Sequence, residues 1–138
     1  MKIKKAVLLS FVVLVLNQLP AFAAETVKLT ADYEKCGARA ESNTSRLQDC
    51  EAAEFERQDR RLNSAYRSLL PLLPKSKAEE LRTVQRKWLE YIEAKCGFWF
   101  DREDFNGTLD RLVANHCNVV ERARRADEIQ VLIHHQGG

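Results

Sequence analysis

The helical periodicity between Thr44 and Leu70 constrains this chain more than any other feature. Leu47, Cys50, Leu62, Ala65, Tyr66, Leu69 and Leu70 recur at spacings near three and four, and no Gly or Pro interrupts them before Pro71. At about 3.6 residues per turn such positions share one face, so the pattern predicts an amphipathic α-helix. Pro71 disfavours helical geometry at Leu70, and Pro74 follows, so the helix should stop near residue 70. A second long helix is predicted from Ser76-x-x-Glu79, a capping box in which each side chain satisfies the other residue's free backbone N–H. Leu81, Val84, Trp88, Ile92 and Cys96 line one face of it. The acidic, Asn-Gly-containing stretch from Asp101 to Gly107 breaks the pattern. A third helix is predicted from about Thr108 to Ile133, with Leu112, His116, Cys117, Val120, Ala123 and Ile129 facing inward. A short helix around Ala31 to Ala40 precedes these three, and no segment shows strand-like alternation. The expected fold is all-α: an antiparallel bundle of three long helices plus a short N-terminal segment.

The first residues read differently. Lys2, Lys4 and Lys5 precede an apolar run from Ala6 to Leu16, broken only by Ser10, and Pro20 and Ala21-Phe22-Ala23 follow it. A basic start, a short apolar stretch and a small-x-small exit describe a secretory signal peptide. The run is too short to span a membrane, which takes roughly 20 apolar residues. Cleavage is expected after Ala23, leaving residues 24–138 as a single helical domain, periplasmic or secreted. No Cys follows that site directly, so neither a lipoprotein anchor nor membrane insertion after cleavage is expected. The formal charge of +2 becomes −1 once the three leader lysines are removed, 19 basic residues against 20 acidic. Such a balance supplies no field to steer a polyanion, so no nucleic-acid partner is expected.

A domain of this length has a real core but little surplus stability, and cross-links would help it. All four cysteines, Cys36, Cys50, Cys96 and Cys117, lie after the leader. An even count in a small exported domain predicts two disulfides. The alternative is a metal site, but no C-x2-C pair exists and gaps of 13, 45 and 20 residues suit no common zinc module. Helical rise places Cys50 level with Cys96 across the first turn, and Cys96 near Cys117 across the second. Geometry thus permits Cys50–Cys96 and Cys96–Cys117 without choosing between them.

Asp59, Asn63 and Tyr66 fall on one face of the first long helix, with Gln85 and Trp88 on the helix opposite. They could form a polar binding patch or a hydrogen-bond network that fixes helix register, and the neighbouring Leu62 and Leu69 favour the network. His116 reads as a core histidine, and His134 and His135 as tail residues. Arg122, Arg124 and Arg125 among Glu121, Asp127 and Glu128 read as a salt-bridged exposed face. The chain contains no G-x-S-x-G, no H-E-x-x-H and no Gly-rich phosphate or cofactor loop, so neither an enzymatic activity nor a cofactor or metal is expected.

Several elements together carry a family resemblance. They are Cys50, Glu54, Asp59, Leu62-Asn63 and Tyr66, then Gln85, Trp88-Leu89, Tyr91 and Cys96. Asn106-Gly107-Thr108, Cys117, Arg125 and Glu128-Ile129 complete the set. D-x-x-LN-x-x-Y, then Q-x-x-WL-x-Y and a Cys eight residues after the Trp, resembles the LprI family of small exported helical modules, over roughly Cys36 to Leu132. The chain departs from the family pattern at Ile92-Glu93, where Arg-Asp is usual, and at Asn106, where the turn usually has Gly. The resemblance implies pairing in sequence order, Cys36 with Cys50 and Cys96 with Cys117. It also implies a protein-binding role as an inhibitor of lysozyme or another cell-wall hydrolase. A lysozyme cleft carries two carboxyls on a basic protein. The loop Asp101, Arg102, Glu103, Asp104 and Phe105 offers a donor, acids and an apolar anchor for it. The competing reading of that loop is a solvated hairpin closure. The competing reading of the whole chain is a structural or stress-related periplasmic protein with no hydrolase target.

Overall fold

The computed structural model describes residues 27–98 and 107–136; the predicted leader and the Asp101–Phe105 loop lie outside the described residues. Helix α1 (Ala31–Ala40) is capped by Thr30, whose side chain accepts the Tyr33 N–H at 3.2 Å, and Asp32 and Glu34 complement the positive end of its dipole. It ends in two consecutive left-handed residues, Glu41 (φ 48°) and Ser42 (φ 63°). Asn43 then caps α2 (Thr44–Leu69), accepting the Arg46 N–H at 3.1 Å. The chain tightens into a 3-10 turn over Leu70–Leu72 around Pro71, then enters α3 (Lys75–Gly97) and α4 (Thr108–Gln136). Gly107 N–H donates to Asp110 at 3.0 Å at the start of α4. No strand occurs among the described residues.

Helix boundaries follow the sequence pattern with two corrections. The Ser76–Glu79 capping box does not form. Pro74 is the N-cap and Lys75 the first helical residue, so Ser76 already lies within the helix and Glu79 pairs with Arg82 at 3.0 Å. Proline at 74 blocks continuation from the preceding turn but lets the next residue start a helix without a side-chain cap. Helix α4 runs past Ile133 to Gln136 and takes in His134 and His135.

The most extensive packing is α2 along α4, with α1 lying on α2 and α3 held mainly by α4. Near the 3-10 turn Leu62, Ala65, Leu69, Leu81, Ala126 and Ile129 form the apolar core, flanked by Tyr66, Leu70, Leu73, Trp88 and Ile133. Each fully buried Leu or Ile there contributes about 1.5–3 kcal/mol of transfer free energy. Helix α4 meets two neighbours, so its buried face is broader than the predicted stripe. Ala114, Val119, Glu121, Ala123, Ala126 and Ile129 are buried, whereas Leu112 and Val120 are partly exposed and His116 is exposed. The small residues allow close approach to α2. On α3, Val84 faces outward, since the buried stripe runs through Ala78, Leu81, Ile92 and Cys96.

Two disulfides staple the bundle, Cys36–Cys50 (Cα–Cα 5.7 Å) and Cys96–Cys117 (5.5 Å). The first ties α1 to α2 across the left-handed turn, and the second ties α3 to α4. The Cys50–Cys96 pairing that helical rise alone allowed does not occur, because α3 is held by α4 and not drawn along α2.

Candidate functional site

The apolar stripe of α2 changes character away from the turn. Leu69, Ala65 and Leu62 are followed, at spacings of three and four, by Gln58, Glu54 and Glu51, all buried. A buried carboxylate must be hydrogen-bonded to be tolerated, and Glu54 is. It accepts the Thr30 N–H (2.9 Å) and hydroxyl (2.5 Å), Gln58 Nε2 (2.8 Å) and Arg57 Nε (2.7 Å). Burial pushes its pKa up, but these donors outweigh burial and hold it below the ordinary carboxylate value. The chain just before α1 is thereby anchored to α2.

Glu51 is the hub of a second cluster. Its Oε1 accepts the Tyr33 hydroxyl at 2.6 Å and lies 3.1 Å from His116 Nδ1, while its Oε2 is buried without a partner among the described residues. The cluster joins α1, α2 and α4. The hydrogen bond to Glu51 raises the His116 pKa against the opposing effect of burial. Burial first, and then the Glu51 hydrogen bond, raise that of Tyr33. His116 is therefore not a core histidine but a half-exposed bridge.

Of the five residues predicted as a network, Asp59, with Asn63 bonded to it, meets one arginine of α4, and Gln85 and Trp88 meet another. Asn63 Nδ2 donates to Asp59 at 2.8 Å, and Asp59 accepts Arg122 Nε at 3.1 Å. Gln85 accepts Arg125 Nε at 3.2 Å, and the Arg125 guanidinium lies 6.0 Å from the Trp88 ring centroid. Tyr66 packs at the edge of the apolar core. Arg122 also stacks over Phe55 at 4.1 Å and donates to Asn118. Both arginine side chains are only 12% exposed, so they are partly buried connectors and not an exposed face. Arg124 does match the surface reading: it pairs, half exposed, with Glu121, which also accepts Lys95 Nζ at 2.8 Å from α3. Burial raises the Glu121 pKa, and the Lys95 and Arg124 contacts bring it net below the ordinary value.

Beyond these networks α2 and α3 part, and a cleft of about 750 Å³ opens between them over α4. Leu89, Ile92 and Cys96 form its apolar wall. Gln48, Glu93, Arg111, Asn115, Asn118 and Arg122 give it polar character. Gly97, at the end of α3, also lines it, and Gln48 Nε2 reaches the Thr108 carbonyl at 3.4 Å. Periodicity did not reveal the cleft, because it depends on how far α3 diverges from α2. Among the described residues no group of His, Cys, Asp and Glu could hold a metal ion, and no helix is long and apolar enough to cross a membrane.

These features define a small disulfide-stapled, all-α module whose buried polar groups mostly pair between helices. The profile of the family described as "Lysozyme inhibitor LprI" matches residues 36–129, from the first cysteine to the core residue Ile129, and the chain belongs to that family. Comparison with curated proteins and with solved structures gave no significant match.

Proposed function

We propose that this chain is an exported, non-enzymatic protein-binding module that inhibits lysozyme-type cell-wall hydrolases. In this reading it acts in the periplasm or outside the cell, after cleavage following Ala23, and the Asp101–Phe105 loop contacts the enzyme. The observation that carries the proposal is the family match over residues 36–129, which spans all four cysteines. Two disulfides support an oxidising compartment. Glu54 also fits a binding role better than catalysis, since it is saturated with donors that hold its pKa below the ordinary carboxylate value.

The test is a cell-wall lysis assay with c-type and g-type lysozymes and the purified exported protein. Inhibition is expected, with weakening when Asp101, Glu103 and Asp104 are changed to Ser. No inhibition at micromolar excess would sink the proposal and leave the structural or stress-related role.

A further inference from the structure

The first turns of α4 are lightly held by apolar contact. Ala114 is the only buried residue of the helix before Val119, while Leu109 and Val113 are exposed. His116 ties this stretch to Glu51 of α2 at 3.1 Å, beside the long bond from Gln48 to the Thr108 carbonyl. The same ring reaches α1, where its Nδ1 lies 3.2 Å from the Tyr33 hydroxyl and the two rings stack at 6.3 Å.

Few other charges surround this junction. One turn away on either side along α4, His116 has Leu112, Val113, Val119 and Val120, all apolar. Tyr33 has Leu29, Thr30, Cys36 and Gly37 in the same positions, and Glu51 has Leu47, Gln48, Glu54 and Phe55. Glu54 is already bound by Thr30, Arg57 and Gln58. Among the described residues, the cation that Glu51 contacts is thus His116. The Glu51 side chain is only 5% exposed, and its Oε2 has no partner among the described residues. A buried carboxylate in that position needs a counter-charge against it. Protonated His116 supplies one. The neutral ring can still donate from Nδ1, but the ion pair is gone and the buried charge stands uncompensated. Swinging the ring away then lets solvent reach Oε2.

We infer that the Tyr33–Glu51–His116 cluster is a pH-sensitive clasp: protonated His116 holds the first turns of α4 against α1 and α2, and loss of that proton loosens them. The hydrogen bond to Glu51 raises the His116 pKa against burial, so the clasp is closed below the ordinary value of 6.5 and opens as pH rises through the raised one. Because the ring is half exposed, solvent screening limits the expected change to about two- to fivefold. A change of that size acts on local opening of a lightly held segment, which costs less than unfolding the domain. The clasp operates whether or not the chain inhibits a hydrolase.

Amide exchange followed by NMR between about pH 6 and pH 9 tests it, with each rate divided by that of an unstructured chain so that base catalysis cancels. In wild type, protection of the amides from Leu112 to Cys117 should fall about two- to fivefold as the His116 ring titrates in the same samples. Glu51→Gln keeps the volume and removes the charge, and its protection should be flat across the range. Tyr33→Phe leaves the His116–Glu51 pair in place and should keep the pH dependence. Circular dichroism should show equal helix content in all three proteins. Wild-type protection that stays constant while the ring titrates would overturn the clasp. So would a fall that persists undiminished in Glu51→Gln, because another group would then be responsible.

Discussion

Near the Leu70–Leu72 turn the helices meet through Leu62, Leu69, Leu81 and Ile129, whereas at the opposite end the same stripe of α2 continues as Gln58, Glu54 and Glu51. The turn end is held by non-directional burial. The cysteine end is held by two covalent bridges, a donor-saturated carboxylate and a Tyr–Glu–His cluster. The difference has a physical reason. Apolar burial draws helices together wherever they can approach, and would close the cleft. Disulfides and hydrogen bonds fix positions without requiring closure, so they suit an end that holds a groove open.

This contrast can be broken most forcefully at the turn. Ile129→Ala should cost about 3–4 kcal/mol, because it leaves a cavity where the side chain is fully buried. Urea unfolding should show the loss as a lower midpoint at unchanged slope. Replacing Cys96 and Cys117 together by Ser should cost about 3 kcal/mol. It should also release α3 from α4 at the cleft end, seen as faster amide exchange near Gly97 than near Leu81. Glu54→Gln keeps the volume but removes the charge that Thr30 and Arg57 serve, and should cost roughly 2 kcal/mol. In wild type the Glu54 contribution is complete above the ordinary Glu value of 4.5 and is lost as pH falls through the lower folded value. The variant should therefore flatten the acid limb of a stability-versus-pH curve.

Smaller effects sharpen the comparison. Glu41→Gly should stabilise by up to about 1 kcal/mol, since a non-Gly residue at φ 48° carries a left-handed penalty that Gly avoids. A rise in melting temperature would show it. The smallest effect concerns His116, whose folded pKa is raised by Glu51. Its contribution is present below the ordinary value of 6.5 and fades as pH rises through the raised one. Because the ring is half exposed, solvent screens the pair. An NMR titration should detect the shift, and Glu51→Gln should return His116 toward its ordinary value.

Local signals made most of the architecture legible. Pro71 as a breaker and the periodic Leu positions act within a few residues of themselves, and the long helices lie where those signals place them. Ser76–Glu79 misled because Pro74, two residues before Ser76, takes the N-cap position and the helix begins at Lys75. The burial of Glu51, Glu54 and Gln58 left a readable trace, since they continue the spacing of Leu62, Ala65 and Leu69. Their polarity masked it. The roles of Arg122 and Arg125 left no comparable trace, for their partners Asp59, Phe55, Gln85 and Trp88 lie on other helices.

The amino-acid order by itself determined the helices and most of their ends, because helix propensity, capping and proline sterics are short-range and additive along the chain. Which helices press together was decided by tertiary structure. So were the direct bridging of α3 to α4 by Cys96–Cys117, the buried polar residues that found partners and the open cleft. The bridging and the cleft depend on the angle at which α3 leaves α2, and that angle is a balance of burial, cross-links and buried charge summed over the whole domain.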